Sequence, residues 1–266
     1  MPAQRKDESA YFAITMQVWD ENQQWKVKLQ VVRFAGQPER ENKMKAGVVY
    51  TSTTPELIEL VNREIEKNLG RDVEILNYQD PSILQEVRDA GYVTAETAAR
   101  LIIMFMQAVS DGADAVLNVC SSVGEVADAA RNIGAFTGVP IVRIDEDMCK
   151  EAVRLGKRIG VLATLPTTLE PTKNTIKRVA RELGKQVQIV DGLIEGAFGI
   201  DQKQFKKKIS DKTAEITEQV DVILLCQGSM AYAEEYLQEI FHKPVLSSPR
   251  FGAAALRKVL EEKGLC

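Results

Sequence analysis

From residue 46 onward the chain alternates between two hydrophobic periods. Short apolar runs at 46–50, 73–76, 139–142, 158–162, 187–190 and 243–246 have the length and β-branched content of buried strands. Between them, apolar residues recur at helical spacing. Leu57, Ile58, Val61 and Ile65 mark a helix over 56–68 that Gly70 closes. Helices over 94–110, 125–136, 146–155, 170–183, 201–219, 230–240 and 251–263 follow in the same way, with Phe205, Ile209 and Ile216 on one stripe. Residues 80–92 read as irregular or short-helical. Residues 51–55 and 163–168 read as turns, the first with Pro55 placed where a helix can start. Ahead of this, aromatic and β-branched runs at 11–19 and 25–34 flank the polar Asp20-Glu-Asn-Gln-Gln24 and predict a β-hairpin. The first nine residues read as a frayed polar terminus, and 37–45 as a charged connector.

The strand and helix programme runs twice. Gly47-Val-Val-Tyr-Thr-Ser-Thr-Thr54 matches Gly160-Val-Leu-Ala-Thr-Leu-Pro-Thr167, and Lys67-Asn-Leu-Gly-Arg-Asp-Val-Glu-Ile-Leu76 matches Arg181-Glu-Leu-Gly-Lys-Gln-Val-Gln-Ile-Val190. Two further apolar runs end alike, in a cysteine and then small polar residues: Asp114-Ala-Val-Leu-Asn-Val-Cys120-Ser-Ser-Val-Gly-Glu125 and Asp221-Val-Ile-Leu-Leu-Cys226-Gln-Gly-Ser-Met230. The repetition predicts an α/β fold of two pseudosymmetric lobes, each a parallel sheet flanked by helices, with an N-terminal β-hairpin extension. In such sheets ligands sit beyond the carboxyl ends of the strands, the edge that carries the cysteine turns and the Thr-rich turns.

Composition narrows the classes. The net charge of −4 is spread over 266 residues without a basic block, which speaks against nucleic acid or an anionic membrane as partner. The longest strongly apolar stretch, Leu101-Ile-Ile-Met-Phe-Met106, is too short to span a bilayer, and the N-terminus has no apolar leader segment. Four cysteines without C-x-x-C spacing are neither a disulfide framework nor a zinc site, so reduced thiols and a cytoplasmic location are expected. The single histidine, His242, gives His-based triads and multi-His metal sites little to work with.

The cysteine turns carry the candidate chemistry. A thiol where a strand turns into a helix meets free backbone N–H groups and the positive end of a dipole, both of which favour thiolate. Two such thiols, Cys120 and Cys226, suit inversion at a carbon beside a carbonyl: one removes the proton and the other delivers one from the opposite face. Substrate oxygens would be held by Ser121, Ser122, Gln227, Gly228 and Ser229 from the cysteine turns, and by Thr51, Ser52, Thr54, Thr164 and Thr167 from the Thr-rich turns. Cys149, Cys266 and His242 read as structural, Glu125 as a first-turn acid complementing its helix dipole, and Lys206-Lys-Lys208 as a solvated helix face.

The paired cysteine turns and paired Thr-rich turns resemble the aspartate/glutamate/hydantoin racemase superfamily, from about residue 45 to the end. Cys226-Gln-Gly-Ser-Met-Ala231 is similar to the Cys-Ala-Gly-Met-Ala of hydantoin-type racemases; Cys120-Ser-Ser and Cys226-Gln-Gly differ from the Cys-Asn-Thr and Cys-Thr usual in amino-acid racemases. The resemblance implies a cofactor-independent racemase or epimerase, without metal, acting on a small carboxylate or imide held between the lobes by one cysteine from each. It also implies that the closing helix packs back on the first lobe, giving an extension at 1–45, a first lobe of 46–148 plus 249–266 and a second of 149–248. The hairpin lies outside the family pattern and is expected to serve a homo-oligomer contact. A decarboxylase or cis-trans isomerase of the same fold acting on a small dicarboxylate, and a non-catalytic small-anion binding protein, are the other readings.

Overall fold

The computed structural model describes the strands 11–19 and 25–33 and all of residues 43–266, with side chains from residue 43 onward. The N-terminal unit is the expected hairpin: β1 (Tyr11–Trp19) and β2 (Trp25–Arg33) pair antiparallel from Tyr11 opposite Arg33 to Trp19 opposite Trp25. The expected frayed terminus, the hairpin turn and most of the charged connector lie outside the described residues.

The second unit, Met44–Cys266, holds two four-stranded sheets in which every pairing is parallel. The first sheet contains β3 (Lys45–Tyr50), β4 (Glu74–Gln79), β5 (Ala115–Asn118) and β6 (Ile141–Arg143) in the order β4-β3-β5-β6. The second contains β7 (Arg158–Ala163), β8 (Gln188–Leu193), β9 (Val222–Leu225) and β10 (Val245–Ser247) in the matching order β8-β7-β9-β10. The helices are α1 (Pro55–Leu69), α2 (Pro81–Ala90), α3 (Ala95–Ser110), α4 (Gly124–Thr137), α5 (Glu146–Leu155), α6 (Pro166–Glu182), α7 (Gln202–Ile216), α8 (Glu234–Phe241) and α9 (Ser248–Glu262).

Local sequence sets the helix starts. The Thr54 hydroxyl accepts the Leu57 N–H and Pro55 opens α1. Residues 81–90, expected to be irregular or short-helical, form the full helix α2. Asp80 caps Ser82 N–H, Pro81 stands at the first position, Gly91 closes the helix in the left-handed region, and Ile83, Leu84 and Val87 are buried. Helix α6 departs from expectation: it begins at Pro166, so the expected turn at 163–168 is mostly its first turn. Pro171 lies inside it, and the Thr172 and Thr175 hydroxyls bond back to the Thr168 and Pro171 carbonyls at 2.9 Å each.

The two terminal helices of the repeats trade places. Ala253, Leu256 and Leu260 of α9 share a buried cluster with Ala46, Val48 and Tyr50 of β3 and Leu57, Val61 and Ile65 of α1. Met148, Cys149, Ala152 and Val153 of α5 pack with Ile159 and Val161 of β7, Val222 and Leu224 of β9, and Ile176 and Val179 of α6. Each sheet therefore buries one face against the helix that follows the other sheet's last strand. No helix among the described residues is long and apolar enough to cross a membrane.

Candidate active site

The carboxyl ends of β3, β5, β7 and β9 open onto one cleft of about 910 Å³. Ten of the twelve expected site residues line it: Ser52, Thr54, Cys120, Ser121, Ser122, Thr164, Cys226, Gln227, Gly228 and Ser229. Thr51 and Thr167 do not. Thr51 is fully buried behind the wall and Thr167 lies in the first turn of α6; both hydroxyls are buried without a hydrogen bond of ordinary geometry. Hydroxyl bonds tie the two cysteine turns to the opposite lobe: Ser121 donates to the Cys226 carbonyl at 3.1 Å, and the Ser122 and Thr168 hydroxyls are 2.8 Å apart. Ser121 and Ser122 are thus spent largely on the lobe contact, which sequence reasoning did not anticipate. Thr168 also lines the cleft and was missed because its segment reads as a turn.

The two thiols differ in setting. Cys120 is half-buried, caps a short 3-10 turn over Ser121–Val123, and has its carbonyl held by the Asn118 side-chain amide at 2.9 Å. Burial pushes its thiol upward, opposed by the Thr51 hydroxyl, the Ser122 and Val123 backbone N–H groups and the Ser122 hydroxyl, all of which favour thiolate. Cys226 is fully buried, among Met148, Cys149, Val161, Leu224 and Leu246. Burial drives its thiol far up; only the Thr172 hydroxyl opposes this, and Asp145 and Asp191 add to it.

Strand register explains the difference and corrects the expected equivalence of the two cysteines. Gly47 pairs with Val116 and Val49 with Asn118 in the first sheet; Gly160 pairs with Ile223 and Leu162 with Leu225 in the second. The Asp114 N–H donates to Lys45 O and the Asp221 N–H to Arg158 O, each at 2.7 Å. At the other end, the Val119 N–H donates to Val49 O at 2.9 Å and the Cys226 N–H to Leu162 O at 3.0 Å. Cys226 therefore occupies the place of Val119, and Gln227 the place of Cys120. Successive residues of an extended chain point to opposite faces, so a one-residue offset sends the two sulfurs to different faces of their sheets. Both short turns begin one residue later, at Ser121 and at Gly228. Gln227 also repeats the partner of Cys120: its amide oxygen accepts the Thr164 N–H at 3.1 Å and its Nε2 donates to the Thr164 hydroxyl at 2.6 Å, where Thr164 matches Thr51.

The outer cleft is mixed. Leu57, Leu60 and Leu84 from one lobe and Phe198, Phe205 and Tyr232 from the other form apolar walls, and Arg88 stacks over Phe198 at 4.3 Å. Charged lining residues sit on the outer elements: Glu56, Arg63, Glu64 and Lys67 on α1, Asp201 before α7, Glu234 and Glu235 on α8, and Arg250 on α9. Glu234 is already bound by Arg250 and the Ser247 hydroxyl. Glu125 is exposed and bonds Asn174 across the lobes, in keeping with a structural role. Cys149 is buried core, and His242 is the exposed left-handed cap of α8. Among the described residues no group of three His, Cys, Asp or Glu is placed to hold a metal ion.

This architecture matches solved racemases. An allantoin racemase from Klebsiella pneumoniae superposes with a TM-score of 0.61 at 17% identity, covering 84% of this chain and 90% of that one. A glutamate racemase from Bacillus anthracis gives 0.66 at 16% identity, over 84% of this chain and 83% of that one. An aspartate racemase from Picrophilus torridus gives 0.56 at 14% identity, over 83% and 94%. At such identities the likeness carries the fold. No curated protein matches in sequence. The Asp/Glu/Hydantoin racemase family model, in contrast, matches residues 47–256, from the glycine of β3 to the middle of α9. The chain therefore belongs to the Asp/Glu/hydantoin racemase family, a family of isomerases.

Proposed function

We propose that the chain is a cofactor-independent racemase or epimerase that moves a proton at a carbon alpha to a carboxylate or imide carbonyl, with Cys120 as the group that removes it. The observation that carries this reading is the setting of Cys120: a half-buried thiol on the cleft wall with four neighbouring donors that favour its thiolate. The thiolate takes the α-proton and the electron pair moves onto the carbonyl oxygen as an enolate. Neutral donors on the wall, chiefly the Ser52 and Ser229 hydroxyls and the Gly228 backbone, are free to face that oxygen.

The inner wall favours an imide ring over an α-amino acid. The groups that act on the Cys120 thiol are hydroxyls and backbone N–H groups, and the carboxylates lining the cleft belong to α1, α8 and the start of α7, so an ammonium group beside Cys120 would lack a carboxylate partner. In the two-cysteine form of the reaction Cys226 would serve the opposite face, and its sulfur would first have to leave its apolar cluster. The same offset favours a second reading, a single-thiol decarboxylation of a malonate-type diacid, which needs protonation from one side only.

The test is solvent exchange in D2O, followed by proton NMR, with D- and L-5-benzylhydantoin, aspartate and glutamate, and phenylmalonate as the decarboxylation probe. Wild type is expected to exchange the α-proton of at least one racemisation probe above the enzyme-free rate. Cys120→Ser is expected to lower that rate by about 10²–10⁴-fold. Unchanged exchange in Cys120→Ser would remove the basis of the reading.

A further inference from the structure

We infer that Gln227, not Cys226, is the counterpart of Cys120 across the cleft, so that the site works with one thiol and one amide. This rests on the reading of Cys120 as the base. Three observations converge on the pairing. Strand pairing and the flanking backbone bonds put Gln227 in the register position of Cys120, and Cys226 in that of Val119. Cys120 and Gln227 both stand in extended backbone as the residue that caps the following 3-10 turn. Cys120 has the Thr51 hydroxyl as neighbour, and Gln227 has the corresponding hydroxyl and N–H of Thr164.

The chemistry of the two positions then differs. Thr164 takes the Gln227 amide oxygen and one N–H of Nε2, leaving the second N–H free on a residue that lines the cleft. A primary amide can donate that hydrogen bond to a substrate carbonyl and hold it more strongly as the oxygen gains enolate charge. It cannot give up a proton to carbon near neutral pH. Cys120 removes the α-proton, the enolate forms against the Gln227 N–H, and, because the amide has no proton to give to carbon, the proton is returned by the same Cys120 thiol on the same face. Proton exchange with retention therefore outruns inversion, and inversion depends on solvent reaching the far face. Val119 is buried beneath α9 as Cys226 is beneath α5, which makes Cys226 a packing residue.

Two measurements decide this, and the first needs no substrate. Native protein is treated with iodoacetamide at pH 8.5 and its cysteines are followed by peptide mass spectrometry. Cys120 is expected to be labelled at least 10-fold faster than Cys226; equal or faster labelling of Cys226 overturns the inference. The second compares exchange and inversion of D- and L-5-benzylhydantoin in D2O. Cys226→Val, which copies Val119, and Cys226→Ala are expected to keep both rates within about twofold of wild type. Gln227→Ala is expected to lower kcat for exchange at little change in KM, and Gln227→Cys to bring the inversion rate up towards the exchange rate. Loss of inversion in both Cys226 variants, with exchange retained, overturns the inference and leaves Cys120 as base. Exchange that survives in Cys120→Ser instead defeats the reading beneath it, and the labelling result then decides the pairing alone.

Discussion

The chemistry proposed for Cys120 depends on which of two opposed effects its surroundings favour. Burial raises the thiol above its ordinary value of 9.0, while Thr51, Ser122 and two backbone N–H groups pull it back. The thiol still lies above its ordinary value, so the reactive thiolate is the minor form at pH 7–8. The rate at low substrate is therefore expected to climb with pH up to and beyond 9. Thr51→Val isolates one donor. Its hydroxyl is fully buried and has no other hydrogen bond of ordinary geometry, so the variant should fold with little penalty. Losing a donor to the anion moves the titration further up, so the rate at pH 8 is expected to fall roughly 10-fold, and the loss should narrow as pH rises. A pH profile of proton exchange checks this; a loss of equal size at every pH would assign Thr51 to packing alone.

At the scale of elements, strands and helices followed from hydrophobic period, caps and punctuation, while the register of the cysteines did not. The two cysteine turns look equivalent when aligned on the sulfur atoms. Aligned instead on the aspartates that open both runs, they are out of step: Cys120 is six positions after Asp114, and Cys226 five after Asp221. The aspartates are the better anchors because each bonds a specific backbone group of the neighbouring strand, Asp114 accepting the Lys45 N–H at 2.9 Å and Asp221 the Arg158 N–H at 2.9 Å. The early start of α6 was missed for another reason: residues 163–168 align with the Thr-rich turn at 51–54 and read as a turn, whereas Pro166 opens the helix there and Pro171 is carried inside it. Gly124, where the Cys120 turn becomes α4, carries a further constraint that only packing reveals. A Cβ there would strike the Arg143 guanidinium, which is almost fully buried and bonds Asp145 at 2.9 and 3.0 Å and Asp128 at 2.6 Å. Moving that guanidinium uncouples a buried ion pair, so Gly124→Ala is expected to cost about 3 kcal/mol of stability in urea unfolding. Because the same residue abuts the cysteine turn, exchange activity should fall with it.

For the molecule as a whole, the lobes are joined by crossing helices and by one carboxylate that gathers cations from several elements. Glu146, at the start of α5, binds Lys150 at 2.7 Å on its own helix, Arg178 of α6 at 2.9 Å, and Arg131 of α4. Burial alone would raise its pKa, but Lys150, Arg131 and Arg178 together hold it at about 2, against an ordinary 4.5. A carboxylate depressed in the folded state lends stability that is fully present above its unfolded pKa and lost as pH falls through the folded one. The window is therefore about pH 4.5 down to about 2, and the shift corresponds to about 3 kcal/mol. Glu146→Gln removes the titrating group while keeping its shape. It should be less stable than wild type at pH 7, since three cations lose their common anion, and the two proteins should converge as pH is lowered towards 2. Urea unfolding at pH 7, 5, 4 and 3 measures both curves. Since Arg131 and Arg178 reach Glu146 from α4 and α6, the helices that follow β5 and β7 in the chain, its protonation should loosen the cleft walls along with the fold, and exchange activity in the acid range should fall more steeply than thiol titration alone predicts. A constant gap between wild type and Glu146→Gln across the whole pH range would show that Glu146 acts by filling space and that its charge holds nothing together.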